Sequence, residues 1–418
     1  MKRITAAEFK TAVELDPAWA SKLTEPVEIT DYCDMTASEI THLSPLLHFL
    51  GEEDGECARF HGCKHLKVAE GNFAGTAAFI DSGVEKIGEL HIEAPDANGN
   101  ATSFSECSNL KVAEGTFPGG VNFNGSGIEK IGDLTILEPD KSDNAASFSE
   151  CSNLKVAEGT FPGCVNFNGS GIEKIGKLTI TRPDKDGIAA SFKDCPNLKM
   201  AEGTFPGSVV FSGFEVEKIG ELHVRAPDKF GMAAYFIFCP NLEVAKGTFH
   251  GGVNFNESGI GKIGTLNITR PDKDGIAASF KDCPNLKIAE GTYPGFVSFQ
   301  RSSIEEIGDL TILRPDNEGN AADFSGCGDL KIAKGTYPGN VCFERSGIKT
   351  IGKLTITAPN NCRIKADFTQ CNPNIRLPKE FLGPEYLMDP ELRQDNHKRI
   401  ALAESVVKAQ QNQDNMEI

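Results

Sequence analysis

Phenylalanine returns in this sequence every 44 residues, at Phe60, Phe104, Phe148, Phe192, Phe236, Phe280, Phe324 and Phe368, each with a cysteine three residues later. A second series, Phe79, Phe123, Phe167, Phe211, Phe255, Phe299 and Phe343, lies 19 residues after each of the first seven, so the period divides into halves of 19 and 25 residues. This recurrence limits the possible folds. A short repeated unit cannot bury its own apolar face and must stack on its neighbours. At 418 residues an ordinary globular chain would form two or three domains, whereas a stacked array can grow without a larger core.

The two halves align on the phenylalanine, taken as zero. KDCPNLKIAEGTY follows Phe280 and QRSSIEEIGDLTI follows Phe299, and both carry apolar residues at positions 8 and 13. The second half adds leucine at 11, giving Ile307, Leu310 and Ile312, where the first has Gly291. Positions 11 and 13 alternate with 10, 12 and 14, so the first pair is expected inside and the others outside a strand. Such short strands become stable by parallel stacking on the next coil. The phenylalanine at zero is expected to form a second internal spine on the opposite wall.

The phrase F-x-x-C-x-x-L, as in FSECSNL from Phe148 and FKDCPNL from Phe192, resembles the BspA-like, or Treponema pallidum-type, leucine-rich repeats of bacteria. The I-x-x-L-x-I stretch is similar to leucine-rich-repeat strands in general. The resemblance covers about three quarters of the chain and implies a curved, right-handed parallel solenoid used for protein–protein contact, often at host–microbe surfaces. The alternating half lengths, and Ser126 and Ser170 in place of cysteine, depart from that family's pattern. The fold expected is therefore a leucine-rich-repeat-like β solenoid of 44-residue two-coil units with helical caps at both ends.

Cysteine spacing argues against a disulfide framework. Eight of the 13 cysteines, from Cys63 to Cys371, share one register. With two coils per unit their sulfurs recur about every 10 Å, beyond the Cα separation of about 7 Å that a disulfide spans. Buried free thiols suit a reducing compartment. The six extra residues of the longer half lie in segments such as RPDKDGIAA at Arg182–Ala190 and Arg270–Ala278, where proline and glycine set a turn. These loops are expected to protrude on every second coil.

The ends break the repeat. Thr5-Ala6-Ala7-Glu8 is a capping box opening a helix to about Leu15, and Asp16-Pro17 offers a second helix start. Val27-Glu28-Ile29 alternates as a strand pairing with the first coil, and Thr36–Leu50 has helical spacing. From Arg376 onward the chain reads as helical, with Ile400, Leu402, Val406 and Val407 apolar. The expected divisions are an N-terminal cap with a capping strand (1–56), the solenoid (57–378), and a C-terminal helical cap with a polar tail (379–418).

Composition narrows function. The net charge of −17, from 59 acidic and 42 basic residues, repels phosphate backbones and speaks against nucleic acid as a partner. No apolar run reaches the length needed to span a bilayer, and Glu8 and Lys10 interrupt the run that a secretory signal would need after Met1-Lys2-Arg3. A cytoplasmic location is expected, with export by a signal-independent route left open.

Position 12 is threonine in ten of fourteen coils, and the other four are Asn72, His91, His223 and Asn267. The candidate binding surface is this outward face: Thr116, Thr135, Thr160, Thr179, Thr204, His223, Thr248, Thr292 and Thr311, with Glu202 and Glu290 from the mostly acidic position 10. A purely structural threonine stripe accounts for the same pattern, since threonine favours strands. A water-ordering array fits poorly beside carboxylates. Asp184-x-Asp186-Gly187 and Asp272-x-Asp274-Gly275 have the alternate-oxygen spacing of a calcium loop but also read as plain surface turns. His61, Cys63 and His65, with Cys57 upstream, have zinc-ligand chemistry, yet Cys63 is the register cysteine that the other units carry without histidines. No nucleophile, base and oxyanion set breaks the repeat. The expectation is a non-enzymatic module, without metal or cofactor, that binds a protein through its strand face or edge loops. The alternative is a self-associating scaffold.

Overall fold

The alternation around each phenylalanine becomes two short strands per coil. A computed structural model describes residues 1–51, 53–213, 215–357, 364–371 and 374–414. They fall into two units, Met1–Lys229 and Phe230–Ile418, and each is a run of parallel β-solenoid coils. Back strands immediately precede each phenylalanine. In the first unit they run from Cys33–Asp34 through Glu56–Arg59, Thr76–Ala78, Asn100–Ser103 and Gly120–Asn122 to Ser208–Val210, each paired in parallel with the next. In the second they run from Met232–Tyr235 to Tyr386–Leu387.

Front strands carry positions 7 to 13. Beyond an N-terminal five-stranded sheet, from Lys2–Ile4 to Lys86–Ile92, four pairs stand as two-stranded sheets. Val112–Phe117 pairs with Lys130–Ile136 and Val156–Phe161 with Lys174–Ile180 in the first unit. Ile288–Tyr293 pairs with Glu306–Ile312 in the second.

The phenylalanines form the expected spine. In the first unit the rings of Phe104, Phe123, Phe148, Phe167 and Phe192 lie 5.2–5.6 Å apart and within 11° of parallel. In the second unit Phe255, Phe280, Phe299, Phe324, Phe343 and Phe368 do the same, with spacings of 5.2–5.5 Å. Aromatics at position 13 close the other wall edge-on, as Phe161 does against Phe148 at 6.3 Å and 73°. Offset-stacked and edge-on pairs add to the burial of large apolar area.

Two expectations about the front strand need correction. Position 8 is inside only in the second half. In the first half Ile288 is 43% and Ile332 47% exposed, while Ala289 and Ala333 at position 9 are fully buried. The cause is a β-bulge repeated in every pair: Ala289 faces Ile307 and Gly291 faces Leu310, so Gly308-Asp309 together oppose Glu290. Glycine suits position 308, because a Cβ would come to about 3.0 Å from the Ile288 side chain. The leucine at 11 is also less enclosed than expected. Each faces a glycine across the pair; Leu134 and Leu222 are buried, but Leu90, Leu178, Leu266 and Leu310 are half-buried.

At the N-terminus the capping box forms as read. Thr5 Oγ1 accepts from Glu8 N, Glu8 accepts from Thr5 N, and α1 spans Ala6–Leu15. A 3-10 turn at Trp19–Lys22 stands where a second helix was expected. The cap closes through Phe9, which meets Trp19 and Phe49 edge-on at 5.8 Å each. Thr36–Leu50 is not helical. It holds turns and the front strand Leu47–Phe49, whose Phe49 stacks on Phe73 at 4.5 Å. Those apolar residues fill coils, and stacking on the next coil overrides their helical spacing. At the C-terminus the helix α2 spans Pro390–Asp414, later than the expected Arg376. A 3-10 turn at Lys379–Leu382 and the strand Tyr386–Leu387 come first.

Removing one ring opens the spine on both sides. Phe148→Ala is expected to cost about 3–5 kcal/mol, read from the chemical denaturation midpoint. A loss below about 1 kcal/mol would show that the stack collapses to refill the space.

Candidate functional site

Register places the candidate threonines side by side on the front face. In the first unit Thr116 pairs with Thr135, Thr160 with Thr179, and Thr204 with His223, and all six are exposed. In the second, Thr292 pairs with Thr311, both exposed, and Thr248 pairs with Asn267. Thr248 is half-buried rather than open. The bulge that misplaced position 8 leaves position 12 aligned, because pairing resumes in register at position 11.

The carboxylates beside this column are arranged differently in the two units. In the first, Glu89, Asp133 and Glu221 are exposed, and Glu114, Glu158 and Glu202 are half-buried. Glu70 is held above the usual carboxylate range, first by burial and then by the neighbouring Glu89. The lysines of the adjoining turn are drawn away into their own ladder. Lys111 meets Glu129 at 2.9 Å, Lys155 meets Glu173 at 3.0 Å, and Lys199 meets Glu215 at 2.6 Å. Such exposed pairs contribute little stability, but they leave the strand column acidic. In the second unit Glu290 lies between the equivalent positions Lys246 and Lys334, and Lys334 pairs with Glu306 at 3.0 Å, so the column there is mixed in sign.

The proline–aspartate loops are ordinary turns stacked into a ladder. The Asp184 carboxylate accepts from the backbone N–H groups of Asp186 (2.9 Å) and Ile188 (2.8 Å), and Asp272 does the same with Asp274 (3.0 Å) and Ile276 (2.8 Å). Burial raises both aspartates above their ordinary range. One oxygen of each, Oδ1, thus holds its own loop. The loops are also shorter than read, since Ile188–Ser191 is a back strand. Backbone bonds join one loop to the next, as from Lys141 N to Asn98 O at 2.7 Å and Lys229 N to Asp186 O at 2.7 Å.

The histidine–cysteine cluster does not converge on one point. His65 pairs with Glu39 at 3.0 Å, and the Cys63 thiol donates to Met35 O at 3.0 Å. Among the described residues one group brings three possible metal ligands together: Cys342, Glu344 and Asp367, with donor atoms within 4.8 Å. Asp367 is already held by Thr369 N (2.8 Å) and Thr369 Oγ1 (2.7 Å), and burial pushes the Cys342 thiol up to about 12. A neutral thiol is a weak ligand, since metals take the thiolate.

Sequence reading missed the polar order of the back face. Asn124 Oδ1 accepts from Ser149 N at 3.2 Å, and Asn168 Oδ1 accepts from Ser191 Oγ at 2.6 Å and Lys193 N at 2.9 Å, clasping one coil to the next. The signal was present as asparagine one residue after Phe123, Phe167 and Phe255, with serine one residue before the following phenylalanine.

The chain matches no family model, no curated protein and no solved structure. Among the described residues no helix is long and apolar enough to cross a membrane.

The register thiols point inward. Cys107 donates to Phe79 O at 2.9 Å and Cys151 to Phe123 O at 3.0 Å, with Ser82 Oγ and Ser126 Oγ beside them. Burial raises Cys151 and Cys195 to about 11 and Cys327 to about 12, from an ordinary value of 9.0. The unfolded chain therefore ionises these thiols first. Their contribution is fully present below about pH 9 and is lost as pH rises through 11 and 12. Urea midpoints under reducing conditions should fall steadily from pH 8.5 to 10.5. A flat profile would contradict the burial of neutral thiols.

Proposed function

We propose that this protein is a non-enzymatic interaction module that binds another protein through the front strand face. The observation that carries the reading is the in-register, outward column of Thr116, Thr135, Thr160, Thr179, Thr204 and His223 beside carboxylates. Hydroxyl and carboxylate groups on a fixed lattice offer hydrogen bonds without needing to be ordered on binding. The resemblance to BspA-like leucine-rich repeats, with its 44-residue two-coil unit, supports the same reading by analogy of fold. The acidic character favours a partner with a basic surface and argues against nucleic acid.

Capture from native extract tests this. Glu202→Lys in the first unit and Glu290→Lys in the second, introduced separately, should each weaken recovery of a partner that docks on the corresponding face. Recovery equal to the unaltered protein for both would exclude the strand face.

A second reading, self-association into a scaffold, is favoured by one observation. On α2, Leu402 is 67% exposed and Val406 and Val407 are each 55% exposed, while Leu392 and Asn396 anchor the helix start. Leu402 and Val406 share one face at i,i+4 spacing. If the helix joins copies, light scattering will give more than one chain for the native protein and one for Leu402→Glu/Val406→Glu. A single chain in both samples would remove this reading.

A further inference from the structure

On the front face of the first unit, every second-half strand begins with an exposed lysine: Lys86, Lys130, Lys174 and Lys218. Three residues later the same strands carry Glu89, Asp133, Lys177 and Glu221, also exposed. Ordinary alternation would put residues three apart on opposite faces. The bulge between them turns both outward. Glu114, Glu158 and Glu202 of the intervening strands extend the second column. The face therefore carries a basic column and, beside it, an acidic one.

Among the described residues no ion pair joins these two columns. The lysines of the adjoining turn differ, since they already meet glutamates such as Glu129 and Glu173. A chain with a net charge of −17 repels its own copies unless positive groups are set against negative ones. Laying two such faces together about a twofold axis parallel to the stacking direction does this. Each column then covers the opposite column of the other copy, strand by strand, with Lys130 over the partner's Asp133 and the reverse. A twofold axis along the strands would set lysine on lysine. Both columns recur every 44 residues, so one fit repeats along the face. The single mismatch is Lys177, which would meet the partner's Lys174. Eight front strands, from Val68–Phe73 to Lys218–Val224, span this face. At about 4.8 Å per coil and about 20 Å of strand they offer roughly 800 Å² per copy, the size that a stable dimer needs.

We propose that the front face of the first unit binds a second copy of this chain, face to face and with the two stacking directions parallel. This rests on the reading of that face as a protein-binding surface, and it names the partner. One patch serves both copies, as a twofold contact requires. The position-12 threonines, two residues beyond the carboxylates, lie toward the rim, where polar groups suit partial exposure to water. The second unit has no such face. Its equivalent strands begin with Lys262, Glu306 and Thr350 and carry Thr265, Asp309 and Lys353 three residues on.

Sedimentation equilibrium on the full chain tests the assignment. The native protein should dimerise, and Lys130→Glu/Lys218→Glu and Asp133→Lys/Glu221→Lys should each weaken the dimer about tenfold, because each sets like charges face to face. An equal mixture of the two variants should recover it, since their columns complement one another. Lys177→Glu should tighten the native dimer by removing the mismatch. Far-ultraviolet circular dichroism of the charge variants should match the native protein. Leu402→Glu/Val406→Glu should leave the dimer intact. A native chain that stays monomeric at about 100 µM would overturn the proposal. So would a dimer that neither charge reversal weakens, or a mixture that fails to recover. If the native chain is monomeric and Asp133→Lys/Glu221→Lys lowers capture of a different protein, this partner is wrong and the front-face reading stands. If that capture is unchanged as well, both fail.

Discussion

Stacking of aromatic rings at one coil's spacing is the interaction on which each unit depends. Rings about 5 Å apart match the separation of hydrogen-bonded strands, so the back strands can pair only if each phenylalanine lies over the last. The turn that follows is correspondingly tight. Two residues after the ring the backbone enters the left-handed region, with φ of 55° at Asp81, 61° at Glu106 and 59° at Glu150. Non-glycine residues hold that conformation at some energetic cost, and they persist where the surroundings fix them. The cysteine one residue further on supplies part of that fixing, since its thiol donates back to the previous coil. Only a small, neutral, buried donor suits that place.

This arrangement divides the chain into what must be repeated and what is free to vary. Phenylalanine, cysteine, the position-13 apolar residue and the bulge glycines are all engaged inside each unit. Variation collects on the two outer faces and the ends. The front face varies mainly in charge, acidic in the first unit and mixed in the second. On the back face, asparagine–serine clasps join some coils and not others.

Much of this could be read from spacing. The phenylalanine spine, the free thiols, the capping box at Thr5 and the outward direction of position 12 follow from period and side-chain type alone. The errors share a cause. Ile288 was read as internal because aligning two halves residue by residue hides an inserted residue, and only strand pairing reveals that Gly308-Asp309 face a single Glu290. Thr36–Leu50 was read as helical because its apolar spacing fits a helix, but a parallel neighbour was available to pair with Leu47–Phe49. Ile188–Ser191 was read as loop because two consecutive buried alanines do not alternate.

The sequence by itself determined the repeat, the class of fold and the chemistry of each column, because those depend on which residues recur and how far apart. Tertiary structure decided the back strands, the bulge and the stacking of the loops. Each of these arises where one coil meets another, between residues 18 to 28 positions apart for neighbouring coils and 43 apart for the stacked loops. A linear pattern names the residues of a column, but pairing between coils decides which of them touch.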